Sequence, residues 1–241
     1  MARRPSSDVS LSIDAIIDAA IEYIDANGLD AFTMRALAGQ IGVYPAALYY
    51  HVDSKAKLVG LASSRLFGDL PVVLDDTGWQ RALTGIGHGI RSIMHSHPNF
   101  APVFGLTLAV DSTPAIPFIE GLLGVLSRTG LSDERIVAAY NAYLGLVIGW
   151  VTVELSGDPG EGDDADQWRQ GVEHSIVSAG TIRNPNLARL LPLLLNRAFM
   201  LRWESGETAP LDGGFEYLLE CFIAGLDSKS REEHDHPFTN A

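Results

Sequence analysis

The sequence predicts an all-α fold: a small N-terminal helix-turn-helix unit followed by a larger helical domain. Three observations carry that expectation. Apolar residues recur at three- and four-residue steps along most of the chain, no pair of alternating segments is joined by a hairpin dipeptide, and residues 33–57 hold a short helix, a glycine turn and a very short second helix. There is no repeat of fixed period and no low-complexity tract.

In residues 10–28, Ile13, Ile16, Ile17, Ala20, Ile21 and Ile24 form one stripe, Asp14, Asp18, Glu22 and Asp25 fill the opposite face, and Asn27-Gly28 stops the helix. Thr33 offers a hydroxyl to the free amides of the next helix, whose apolar stripe Ala36, Leu37, Ala38 and Ile41 ends at Gly42. Pro45 suits a first helical turn, because the amide it lacks would be unpaired there, and A-A-L-Y-Y-H continues for barely two turns. Asp53-Ser54 starts a longer helix to about Phe67. Trp79, Leu83, Ile86, Ile90 and Ile93 then keep the helical period until His97-Pro98.

Asp111 to Pro114 begins a further helix closed by Gly130, and Ser132-Asp133-Glu134 opens one running to about Leu155. Residues 157–166, rich in glycine and acids, read as a mobile loop. Helices resume over 165–179, 186–203 and 211–226, and the polar end reads as frayed. The organisation expected is a flexible arm over 1–9, the helix-turn-helix unit over 10–60, the larger domain over 61–227 and a flexible tail over 228–241.

A chain of 241 residues with 46% hydrophobic and 20% charged residues can bury a sizeable core. Its formal charge of −13, from 17 Lys+Arg against 30 Asp+Glu, excludes a uniformly basic coat for nucleic acid or anionic membrane, so any nucleic-acid site must be local. Cys221 is the only cysteine, so an internal disulfide is excluded. The start M-A-R-R-P-S-S lacks the apolar stretch of a signal peptide, which makes a cytoplasmic address the expectation. The nearly apolar run 142–153 is about half of the roughly 20 residues a membrane helix needs, and is expected in a buried core, with no membrane partner.

Function is concentrated in T-M-R-A-L-A-G-Q-I-G-V-Y-P-A-A-L-Y-Y-H-V-D-S-K-A-K, residues 33–57. A helix that enters the major groove must be slim at its leading end and held at a fixed angle by a tight turn. Pro45, Ala46 and Ala47 permit that approach, Leu48 faces inward, and Tyr49, Tyr50, His51 and Lys55 can donate to phosphates. This order of an amphipathic helix, G-L-D-A-F-T-M-R-A-L-A and I-G-V-Y-P-A-A-L-Y-Y-H-V-D-S-K-A-K-L resembles the DNA-binding domain of the TetR family of transcriptional regulators. The resemblance implies that Thr33 and Arg35 lie near phosphate and groove, that Tyr44, Pro45, Ala46 and Ala47 lead into the groove, and that Tyr49, Tyr50, His51 and Lys55 grip the backbone. W-Q-R-A-L, I-R-S-I-M-H-S-H-P, L-L-G-V-L-S-R-T-G-L-S and F-E-Y-L-L-E-C-F-I-A-G-L resemble the tetracycline-repressor type of C-terminal domain, which implies an all-helical unit for ligand binding and dimerisation.

One departure narrows the ligand. The resemblance puts Ile86 and Phe104 where the tetracycline repressor has an asparagine and a metal-binding histidine, so neither a metal nor a cofactor is expected. An apolar effector would meet Ile86, Ile90, Phe100, Phe104, Tyr143, Val147 and Trp150, with Glu154 and His174 as polar candidates. Among residues 1–60, five basic residues face seven acids, leaving −2 there and −11 for the rest. Four of these acids, Asp14, Asp18, Glu22 and Asp25, share the outer face of the first helix, so Arg35, Lys55 and Lys57 can still meet DNA, and Arg3 and Arg4 can reach further phosphates. So few cations make a dimer with two heads on double-stranded operator DNA almost a requirement.

Other signals are weaker. G-I-G-H-G-I at 85–90 lies in a helical period without a preceding strand, and His95 and His97 point to different helix faces. His234 and His236 fall in the tail. Without a nucleophile elbow or a cysteine–histidine signature, an enzyme is not expected. The competing class is an all-helical enzyme or small-molecule carrier in which the helix-turn-helix is incidental.

Overall fold

The computed structural model describes residues 11–68, 70, 72, 78–102, 115–156, 167, 168, 170, 171, 174, 175, 184–199, 202, 204, 206 and 209–235. The bounded elements among them are nine α-helices and no strand: α1 (Ile13–Asn27), α2 (Met34–Ile41), α3 (Pro45–His51), α4 (Lys55–Gly68), α5 (Trp79–Ser96), α6 (Ile116–Ser127), α7 (Asp133–Leu155), α8 (Pro185–Leu194) and α9 (Asp212–Asp235). A 3-10 turn at Pro98–Phe100 follows α5. The expected helix start at 111–114, the acidic loop 157–166, Phe104 and most of 165–179 lie outside the described residues.

Local chemistry sets the helix ends. Ser12 Oγ accepts the Ala15 amide at 3.1 Å and Thr33 Oγ1 accepts the Ala36 amide at 3.1 Å, each relieving one free donor of a first turn. Pro45 is the first residue of α3, where its missing amide costs nothing. Gly42 closes α2 at φ 81°, ψ 30°, in the left-handed region that favours glycine, and the amides of Gly42 and Val43 both donate to the Ala38 carbonyl at 2.9 Å.

Two boundaries differ from expectation. The helix expected over 186–203 ends at Leu194: Pro192 removes a donor inside it, and Asn196 follows at φ 56°. The last helix does not stop at 226 but continues to Asp235, so residues 228–235 are not a flexible tail. This polar stretch docks on the turn between α6 and α7. There Ser230 Oγ donates to the Thr129 carbonyl, the Ser132 amide donates to Glu233 at 3.2 Å, and Arg135 pairs with Glu233 at 3.6 Å.

One continuous core joins head and body. Ile16, Ile17, Ala20 and Ile24 of α1 pack in it together with Leu37, Leu48 and Leu58, and the same cluster continues through Phe67, Ile86, Ile90, Phe118, Tyr143 and Phe215. α4 crosses the boundary drawn at residues 60/61 and stacks Phe67 on Phe118 at 5.9 Å. α7, at 23 residues, is long and apolar enough to span a membrane. One side of it, lined by Tyr143, Val147, Val151 and the ion-paired Glu154, is buried in the fold, and the other is exposed.

Candidate nucleic-acid interface

The exposed surface of the head is built by anchoring one residue and freeing its neighbours. Leu48 is fully buried and anchors α3, which packs on α2, while Tyr44 and Tyr50 are 82% and 87% exposed and Tyr49 is 50% exposed. Ala46 is exposed and Pro45 and Ala47 are half-buried, so no bulky side chain blocks the leading end of α3. Arg35 is exposed on α2, one turn from Gly39 and Gln40, which are exposed as well. Thr33 uses an oxygen lone pair for its cap, which leaves its hydroxyl proton for a phosphate.

His51 and Lys55 are partly committed within the protein. The His51 ring meets the Tyr50 ring edge-on at 5.2 Å. Lys55 Nζ donates to the Leu29 carbonyl at 3.4 Å and lies 5.7 Å from the Phe32 ring centre. Lys55 therefore tethers α4 to the α1–α2 connection as well as presenting a cation. Gln40, whose side-chain amide can both donate and accept, is exposed at the end of α2 beside the turn.

Three acids of α1 are paired within the protein. Arg65 of α4 pairs with Asp14 at 3.2 Å and with Asp18 at 3.7 Å, and His97 Nδ1 meets Asp25 at 2.7 Å. Asn99 adds a second clasp, donating to the Ile24 and Asp25 carbonyls at 3.1 and 3.2 Å. The last turn of α1 is thus fastened to the turn after α5, within the body.

In the body, Ile86, Ile90, Phe100, Tyr143 and Val147 are packed core side chains. Burial pushes the Tyr143 phenol well above its ordinary value, and it donates to the Leu83 carbonyl as a strut between α5 and α7. Trp150 is half-buried, edge-on to Phe199 at 4.6 Å. His174 is exposed. Three surface grooves of 590, 370 and 680 Å3 are described, and none is bordered by a residue nominated for the ligand.

Glu154 is fully buried and already engaged. It accepts from Arg91 at 2.9 and 2.6 Å, from the Leu211 amide at 2.7 Å and faces His95 Nε2 at 3.2 Å. Burial pushes its carboxyl up, but the hydrogen bonds from Arg91, the Leu211 amide and His95 outweigh that and hold it below the ordinary value. Arg91 also pairs with Asp212 at 2.7 Å and covers the Phe215 ring at 4.9 Å. His95, in the last turn of α5, is therefore a partner of Glu154. His95 and His97 do point to different elements, α7 and α1.

Comparison with known proteins agrees with this layout. Residues 16–61 match the profile described as bacterial regulatory proteins, tetR family, and residues 70–230 match the tetracyclin repressor-like C-terminal domain. The chain is 28% identical over 198 residues to the HTH-type transcriptional repressor DrrR1 of Streptomyces coeruleorubidus, covering 78% of this chain and 72% of that one. It is 26% identical to the class C tetracycline repressor protein of Escherichia coli over 93% of this chain and 94% of that one. The solved structure of ActR from Streptomyces coelicolor in complex with actinorhodin superposes with a TM-score of 0.73 at 24% identity, covering 92% of this chain and 99% of that one.

Proposed function

Because the chain belongs to the TetR family of bacterial regulatory proteins, we propose that it is a ligand-responsive repressor that binds a pseudo-palindromic operator as a homodimer. The observation that carries the reading is the surface of α3: one buried anchor, Leu48, beneath an exposed face of Tyr44, Ala46, Tyr49 and Tyr50, with Arg35 beside it. Such a surface admits the edge of a major groove, while hydroxyls and a guanidinium fix register on phosphates. The protein works in the cytoplasm, and its body binds a small effector that changes the spacing of the two heads.

Release of DNA requires the effector to favour the non-binding spacing. Moving a 1:99 population to 99:1 takes a preference of about 5.5 kcal/mol, and smaller preferences give partial induction. The clasp of Asp25, His97 and Asn99 is the path we assign to that signal, since it ties α1 to the end of α5. Paired variants test the reading. Arg35→Ala and Tyr50→Ala remove exposed groups, so melting temperature should stay unchanged while affinity for the DNA flanking the gene falls at least about tenfold. Unchanged DNA affinity in both variants would count for an incidental helix-turn-helix in an enzyme or carrier.

A further inference from the structure

We propose that Arg202, which donates to the Glu154 carbonyl one turn after Trp150, is the recognition site for an acidic group on the effector, a carboxylate or phenolate carried on an aromatic body. The inference rests on the ligand-responsive reading above and narrows its effector from apolar to amphipathic. Arg202 is only 8% exposed. Its Nε donates to the Glu204 carbonyl at 2.7 Å and Nη2 to the Glu154 carbonyl at 2.5 Å, but Nη1 is buried without a hydrogen-bond partner. The one buried carboxylate nearby, Glu154, is already committed to Arg91, His95 and the Leu211 amide.

The carboxylates of Glu154 and Glu204 only partly offset the burial of this guanidinium, which still lies below its ordinary pKa, and an anion on the free Nη1 is what relieves it. Trp150 supplies a second, independent observation. Its Nε1 is also buried without a partner, and it stands one helical turn before Glu154, at the same end of α7. The indole packs edge-on against Phe199 at 4.6 Å and lies 6.4 Å from Phe215, while its far edge approaches Gly214 so closely that a Cβ there would come within 2.6 Å. An aromatic acid satisfies both features: its oxygens accept from Nη1 and Nε1, and its ring lies among these rings. A hydrocarbon would leave both donors unsatisfied.

Calorimetry on the full-length protein decides the matter with benzoate, 2-naphthoate and anthracene-9-carboxylate, each measured against its own amide. At least one acid should bind about tenfold or more tightly than its amide. Arg202→Gln, which keeps donors but not charge, should reduce that acid to the affinity of the amide. Trp150→Phe, which keeps an aromatic ring but removes the N–H donor with the rest of the pyrrole ring, should weaken the acid severalfold more than its amide, and it carries the test if Arg202→Gln does not fold. Acids and amides that bind alike, no acid bound at millimolar concentration, or a preference that survives in the folded variants would overturn the proposal. Binding to the DNA flanking the gene, measured on the same preparations, separates the two readings: intact DNA binding with no acid preference sinks this inference alone.

Discussion

Glu154 holds the body together by being held itself. Its two oxygens take a forked pair of hydrogen bonds from Arg91 and one from the amide that precedes α9, so three elements meet at one carboxylate. Its carboxyl is held below the ordinary 4.5. The stability it contributes is therefore complete above that value and is lost as pH falls through the folded value beneath it. Glu154→Gln should cost on the order of 3 kcal/mol at neutral pH, because Arg91 loses its buried partner, and should flatten the acid limb of the stability curve. Urea denaturation at a series of pH values reads both effects; an acid limb as steep as that of the wild type would contradict the assignment. In the sequence Glu154 looked only like a polar residue on an apolar helix. The partner Arg91 lies 63 residues away, and no local pattern announces such a pair.

Helices were legible where their ends are local chemistry and illegible where they depend on distant contacts. Thr33, Gly42 and Pro45 bracket α2 and α3 by capping and turn geometry, and Asp133–Leu155 begins and ends where its pattern predicts. The last helix is the counterexample. Residues 228–235 carry no apolar stripe of their own, yet they are helical because Ser230 and Glu233 bond the α6–α7 turn. Truncation after Leu226 should lower stability by about 2 kcal/mol, the worth of a few such hydrogen bonds; thermal melting checks it, and an unchanged midpoint would mean that the contacts contribute nothing. The acidic face of α1 was legible as a stripe, but that Arg65 and His97 pair with it required the fold.

At the scale of the molecule, α7 and α9 each leave an exposed face among the described residues. Ala138, Ala142, Gly145, Gly149 and Val153 are exposed along α7, and Tyr217, Cys221 and Ala224 along α9. Small residues on both allow close approach of a second copy, and a four-helix dimer interface is the arrangement we assign to them. Ile223 lies half-buried in the groove against Gln80, Arg81 and Thr84 of α5, so charging it would disturb the body itself. Gly149→Glu or Ala224→Glu is the sharper test: light scattering should report a monomer, and a persistent dimer would place the interface elsewhere.

The head carries few cations, and this bounds its behaviour with salt. Arg3, Arg4, Arg35, Lys55 and Lys57 are the basic residues of the first 60, so two heads can neutralise at most ten phosphates. The slope of log affinity against log salt should then be no steeper than about −9. The most direct measurement is a titration of the full-length protein with the DNA flanking its gene, at two salt concentrations and with unrelated competitor. Competitor-resistant binding of two protomers per site within that slope is the result expected of a dimeric operator-binding regulator. Weak binding that competitor and moderate salt erase, at every flanking segment, would contradict it.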